Sequence, residues 1–115
     1  MIVAGFGYRS GATVASLRAA LAAAQAEAPP ITHVATLADK LPLLAELGLP
    51  AIGLDTLDGI DTPTRSAASL AARGSGSVAE ASALAAAGMG SRLLARRHIS
   101  PDRLATCAIA EGTCS

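Results

Sequence analysis

The chain has 115 residues, of which 51% are hydrophobic, 16% charged and only 2% aromatic, with nine basic side chains balanced by nine acidic ones. Domains run to roughly 100–200 residues, so 1–115 is read as one domain with one core, and a catalytic domain joined to a separate binding domain is excluded. Zero net charge excludes steering of the whole molecule toward nucleic acid or an anionic membrane, so recognition of an acidic partner must come from a local cluster.

Residues 2–4 read as a short strand entering a tight Gly5-Phe6-Gly7 turn, and 13–28 follow as a helix with apolar Val14, Leu17 and Leu21. Ser10 is placed to cap that helix, and Pro29-Pro30 end it. Residues 31–36 hold Ile31, Thr32, Val34 and Thr36, β-branched side chains that suit a second strand parallel to the first. A short helix fits 41–47, stopped by Gly48-Leu49-Pro50, and 51–54 form a short apolar strand. Residues 55–63, rich in Asp, Gly and Thr, read as a surface loop. Thr62 and Pro63 then open a short helix over 64–72 that closes at Gly74. Ser77 followed by Glu80 is the capping-box arrangement, opening an alanine-rich helix that Gly88 closes. Residues 93–95 and 104–110 are two apolar runs separated by the polar stretch 96–103, which predicts a terminal β-hairpin with 96–103 as its loop.

Strands that alternate with helices imply a parallel sheet covered on both faces, to which the closing pair adds an antiparallel edge. The fold class is therefore α/β, a three-layer α/β/α sandwich with a mixed, mainly parallel sheet and a C-terminal β-hairpin. The 28 alanines and the mean hydropathy of +0.46 point to small apolar residues packed closely; their spread through all the helices reads as compositional bias. A membrane span needs about 20 consecutive apolar residues, and the longest candidate, 14–28, is broken by Ser16, Arg18, Gln25 and Glu27. The first five residues lack a basic n-region, which sets the expectation of a cytoplasmic protein.

Cys107, inside an apolar run, is expected in the core and Cys114 in the tail; with His33 and His98 they make no zinc set, and no metal or cofactor is expected. His33 reads as a packed histidine in its strand and His98 as a solvated one in its loop. Gly5-x-Gly7-x-x-x-Gly11 approaches the dinucleotide fingerprint, but its third glycine is one residue late and the second strand ends without an acidic residue. The physics of such a turn remains: glycines let backbone amides approach a ligand, and Arg9 beside them is a bidentate donor for carboxylates. Lys40, the chain's only lysine, falls just after the second strand, where open α/β sheets place their ligands. These features describe an anion-binding α/β domain.

The motifs Val3-Ala4-Gly5-Phe6-Gly7-Tyr8-Arg9, Thr36 to Lys40, Ser77-Val78-Ala79-Glu80-Ala81 with its alanine-rich continuation to Gly88, and Thr106-Cys107-Ala108-Ile109-Ala110 follow one another along nearly the whole chain. In that order they resemble the CobE family of cobalamin biosynthesis, which is similar to the C-terminal domain of CbiG. The resemblance implies an α/β domain acting in corrin-ring construction, in the aerobic branch of the vitamin B12 pathway. Larger CbiG proteins open a precorrin lactone, and this sequence lacks their N-terminal portion, which favours binding over independent catalysis. Carried over, the family's matching stretches make Gly5, Gly7, Arg9, Lys40 and Ser77 ligand-binding residues and Glu80 the candidate catalytic residue.

The leading expectation is a protein that binds or carries a corrinoid or precorrin intermediate such as hydrogenobyrinic acid, with other cobalamin-biosynthesis enzymes as possible partners and no nucleic-acid or membrane partner. The alternative is a hydrolase acting on a precorrin lactone, with Glu80 or His33 positioning water and Arg9 and Lys40 stabilising an oxyanion. A third reading is a scaffold that contacts only other pathway enzymes.

Overall fold

The computed structural model describes residues 1–55, 78–88 and 90–112. Its elements in chain order are β1 (Ile2–Tyr8), α1 (Val14–Gln25), β2 (His33–Leu37), α2 (Leu41–Leu44), β3 (Ala51–Leu54), α3 (Val78–Ala87), β4 (Arg92–Ile99) and β5 (Ala105–Glu111). Single 3-10 turns, Ala38–Lys40 and Ala45–Leu47, flank α2.

The five strands form one sheet in the order β3-β2-β1-β5-β4. The pairings β1–β2 and β2–β3 are parallel, while β1–β5 and β4–β5 are antiparallel. The second strand is thus parallel to the first, and β4–β5 form the expected terminal hairpin. Strand alternation sends Ala4, Phe6, Val34, Cys107 and Ile109 to one face, where they pack with Leu17, Ala20 and Ala24 of α1 and Leu44 of α2. The opposite face carries Val3, Ala35 and Ala110 against Ala83 and Ala87 of α3. The result is the three-layer α/β/α arrangement of the sequence analysis.

Three local readings need correction. The first strand does not stop at Ala4: β1 runs on to Tyr8, and Gly5 and Gly7 are strand residues rather than a turn. Their reason is packing. A Cβ on Gly5 would lie 2.1 Å from the Ala79 carbonyl oxygen and 2.4 Å from the Ala83 nitrogen, so α3 can lie on β1 only where no side chain stands between them.

The first helix begins later and ends earlier than expected. Its cap is Thr13 rather than Ser10: the Thr13 hydroxyl accepts from the Ser16 N–H, and the Ser16 hydroxyl accepts from the Thr13 N–H. After Gln25 the chain tightens into i→i+3 bonds, and the Gln25 side-chain amide donates to the Ala28 carbonyl at 3.1 Å, drawing 26–28 out of the α-helix.

The third correction concerns 96–103, read as a loop. β4 continues to Ile99, and the hairpin turn is confined to the residues between Ile99 and Ala105. The alternation fails because β4 carries two register shifts against β5, between Leu93 and Ala95 and between Ala95 and His98. Each puts an extra residue on β4, so polar and apolar side chains no longer alternate. The loop at 56–63, the helix at 64–72, Ser77 and Cys114 lie outside the described residues.

Candidate functional site

The parallel strands β1 and β2 point their carboxyl ends the same way, and the carry-over residues Gly7, Arg9 and Lys40 lie at or just beyond that edge. β1 ends at Tyr8, whose hydroxyl donates to the backbone carbonyl of Lys40. The Lys40 ammonium stands over the Tyr8 ring, 5.0 Å from its centroid, a cation–π arrangement. Both contacts fix the Lys40 turn to the end of β1. Burial, and then the Asp39 carboxylate, push the Tyr8 phenol above its ordinary value, so it remains a neutral donor at physiological pH.

Two threonines tie the strand ends together. Thr36 of β2 donates to the Phe6 carbonyl at 2.8 Å, and Thr106 of β5 donates to the Gly7 carbonyl at 3.2 Å. A Cβ on Gly7 would meet Thr106 Oγ1 at 3.0 Å and Val78 Cβ at 3.3 Å, so Gly7 brings the first residue of α3 onto the same edge. Arg9 is exposed one residue beyond β1, and its backbone N–H bonds the Leu104 carbonyl at 2.9 Å. Chemically the edge offers an ammonium, a guanidinium and the positive end of a ten-residue helix, a combination suited to anionic groups.

The other carry-over residues lie elsewhere. Gly5 is enclosed beneath α3, where its task is close packing. Glu80, in the first turn of α3, is wholly buried, and its Oε2 accepts the Arg97 N–H at 3.0 Å. Arg97 belongs to the second irregularity of β4, the register shift between Ala95 and His98, and its N–H bonds to the helix carboxylate. The carboxylate thus fastens the displaced strand to the helix.

His33 hydrogen-bonds Thr32 through Nδ1 at 2.7 Å, and His98 pairs with Glu27 at 3.1 Å instead of standing free in solvent. Cys107 is buried as expected, and burial pushes its thiol well above the ordinary cysteine value.

Sequence reasoning missed Tyr8, Thr36 and Thr106. Tyr8 carried one usable signal: it is the only tyrosine of the chain and sits directly before Arg9. Also missed was Asp102, which accepts from Ser16 Oγ at 2.6 Å, from the Leu104 N–H at 3.0 Å and from Ser100 Oγ. The Ser100 and Ser16 hydroxyls, in that order, hold the Asp102 carboxyl below the usual carboxylate range, and the contact pins the start of α1 to the β4–β5 turn. Among the described residues no group of His, Cys, Asp and Glu could hold a metal ion, and no helix is long and apolar enough to cross a membrane.

The family model described as the cobalamin synthesis G C-terminus matches residues 2–110. The chain belongs to this family. Membership assigns it to cobalamin biosynthesis, and solved structures of the same group share its fold. The chain is similar to CobE, described as a protein from the cobalamin (vitamin B12) biosynthetic pathway, with a TM-score of 0.78 and 29% identity over 96% of this chain and 89% of that one. It is similar to the cobalamin biosynthesis protein chiG of Agrobacterium tumefaciens, with a TM-score of 0.69 and 30% identity over 98% and 99% of the two chains. A cobalamin biosynthesis protein G homolog from Sulfolobus solfataricus shares the fold, with a TM-score of 0.70 and 22% identity, over 96% of this chain but 36% of that one. No curated protein matches the chain.

Proposed function

We propose that the chain binds a corrinoid or precorrin intermediate of cobalamin biosynthesis, such as hydrogenobyrinic acid, and passes it between the enzymes of the aerobic pathway. The observation that carries this reading is the Lys40 ammonium, tied by Tyr8 to the carboxyl end of β1 beside Gly7 and the start of α3. Corrin intermediates are flat macrocycles edged with acetate and propionate arms, so their receptor needs donors spaced around a rim. Lys40 and Arg9 supply two such donors, and Ser77, which precedes Val78 in the sequence, is a third in this reading. Glu80 has a structural task against Arg97, and its burial gives a hydrolytic role no support.

The test mixes purified protein with hydrogenobyrinic acid, separates by gel filtration and records the visible spectrum of the protein fraction and the free pigment. Coelution of unchanged pigment is expected. Lys40→Ala or Arg9→Ala should each weaken binding about tenfold, the worth of one charge-assisted hydrogen bond. Pigment that stays in the free fraction, or emerges with an altered spectrum, would overturn the carrier reading.

A further inference from the structure

The outer edge of the sheet carries a second cluster, remote from Lys40. Half of the eight arginines, Arg92, Arg96, Arg97 and Arg103, lie in β4 or in the turn that follows it. A groove of about 710 Å³ runs along this strand, within the size range of small-molecule sites. Its apolar lining is Leu84 of α3 with Leu93 and Leu94 of β4, all half-buried, and its polar lining comes from Arg96, Arg97 and His98. Among the described residues Glu27 is the one carboxylate that lines the groove, and it is engaged by His98 at 3.1 Å. Among the described residues no carboxylate pairs with the guanidinium of Arg96 or Arg97.

Two features argue against an added β-strand as the occupant of this edge. The register shifts break the even row of backbone donors that a partner strand would need, and the Arg97 N–H is already taken by Glu80. What remains is a groove that wraps the sheet edge, with Leu84 and Leu93 on the α3 side and Leu94 on the α1 side. Beside it stand two guanidinium groups that no carboxylate of the described residues pairs, so the groove is complementary to a small molecule with both apolar and acidic surface.

We propose that the β4 groove is a binding site for an amphiphilic anion, an apolar frame bearing at least two acidic groups, separate from the Lys40 region. Two strands, β1 and β5, stand between β2 and β4, which sets the two regions about 14 Å apart at ordinary inter-strand spacing. The inference does not depend on the corrinoid reading, because it rests on different residues and a different probe.

The disulfonated dye bis-ANS, titrated into the full chain, tests it by fluorescence and by amide NMR shifts. Saturable binding is expected, with shifts concentrated at Leu84, Leu93 and 96–98. The double variant R96Q/R97Q should weaken binding at least about tenfold, whereas R18Q, an exposed arginine of α1, should leave it unchanged. Neither double-variant side chain is buried, and the Glu80 contact uses the Arg97 backbone, so the variant keeps the fold, to be checked by circular dichroism. Non-saturating adsorption, shifts outside the groove, or equal loss in R18Q and R96Q/R97Q would each overturn the proposal.

Discussion

The two faces of the sheet solve the packing problem in opposite ways. Toward α1 the sheet presents Phe6, Val34, Cys107 and Ile109, and Leu17 and Leu44 fill the space between layers. Toward α3 it presents Val3, Gly5, Gly7, Ala35 and Ala110, met by Ala79, Ala83 and Ala87. One face is held by bulk; on the other, α3 crosses β1 through the absence of bulk, and larger side chains such as Leu37 and Ile52 stand on β2 and β3. The alanines of α3 are therefore more than compositional bias, since larger residues there would lift the helix off β1. Close approach also delivers the start of α3 to Gly7 and seats the Glu80 carboxylate at the irregular part of β4.

The sharpest way to break this contrast is to apply opposite changes to the two faces. Phe6→Ala should leave a cavity and cost about 3–5 kcal/mol in urea unfolding. Gly5→Ala adds only a methyl group, yet that methyl would stand 2.1 Å from a backbone oxygen, so a loss of about 3 kcal/mol or more is expected. A Gly5→Ala variant as stable as the parent would show that α3 can be displaced without penalty, and the contrast would fall.

Next in size is Glu80→Ala, which leaves the Arg97 N–H without its acceptor and opens a void. A loss of about 2–4 kcal/mol is expected, with Glu80→Gln milder because an oxygen acceptor remains. Amide exchange at Arg97 should quicken in the alanine variant and stay slow in the glutamine one.

Asp102 serves the α1 side, and its contribution depends on pH. Its folded value is depressed, so the stabilisation is present above the ordinary carboxylate value of about 3.9 and fades as pH falls through the lower folded value. Urea midpoints of Asp102→Ala should lie below the parent's at pH 7 and converge with them in strong acid. A gap that persists unchanged into strong acid would mean that the carboxylate charge plays no part. The smallest effect concerns Cys107: buried and with a raised thiol value, it should remain unlabelled by a thiol reagent in the native protein and react once urea opens the core, as read by peptide mass spectrometry.

Much of this architecture was legible in the residues. β-Branched runs marked β1 and β2, prolines and glycines punctuated the elements, and alternation of element types implied the layered sheet. The errors share a cause. Gly5 and Gly7 look like a turn because glycine is poor in strands, and the reason for them, α3, lies far along the chain. Arg96 and Arg97 look like loop because a bulged edge strand loses its alternation. The rule for parallel strands placed Lys40 just beyond the carboxyl end of β2, where the structure has it, whereas Gly7, read as a turn residue, lies inside β1. The bond from Tyr8 to the Lys40 carbonyl was invisible, since any residue's backbone could have supplied that acceptor.

The pairing of β1 with β5 joins Ile2 to Glu111 and Tyr8 to Ala105, so the middle of the sheet is built from segments remote in sequence. Closing so long a loop costs entropy before any contact repays it, and topologies of this kind fold slowly. During synthesis one hydrogen-bonding edge of β1 must wait for its neighbour until β5 has left the ribosome. Until then β1 can pair only with β2, and the nascent chain exposes an edge of a strand that ends in the middle of the sheet.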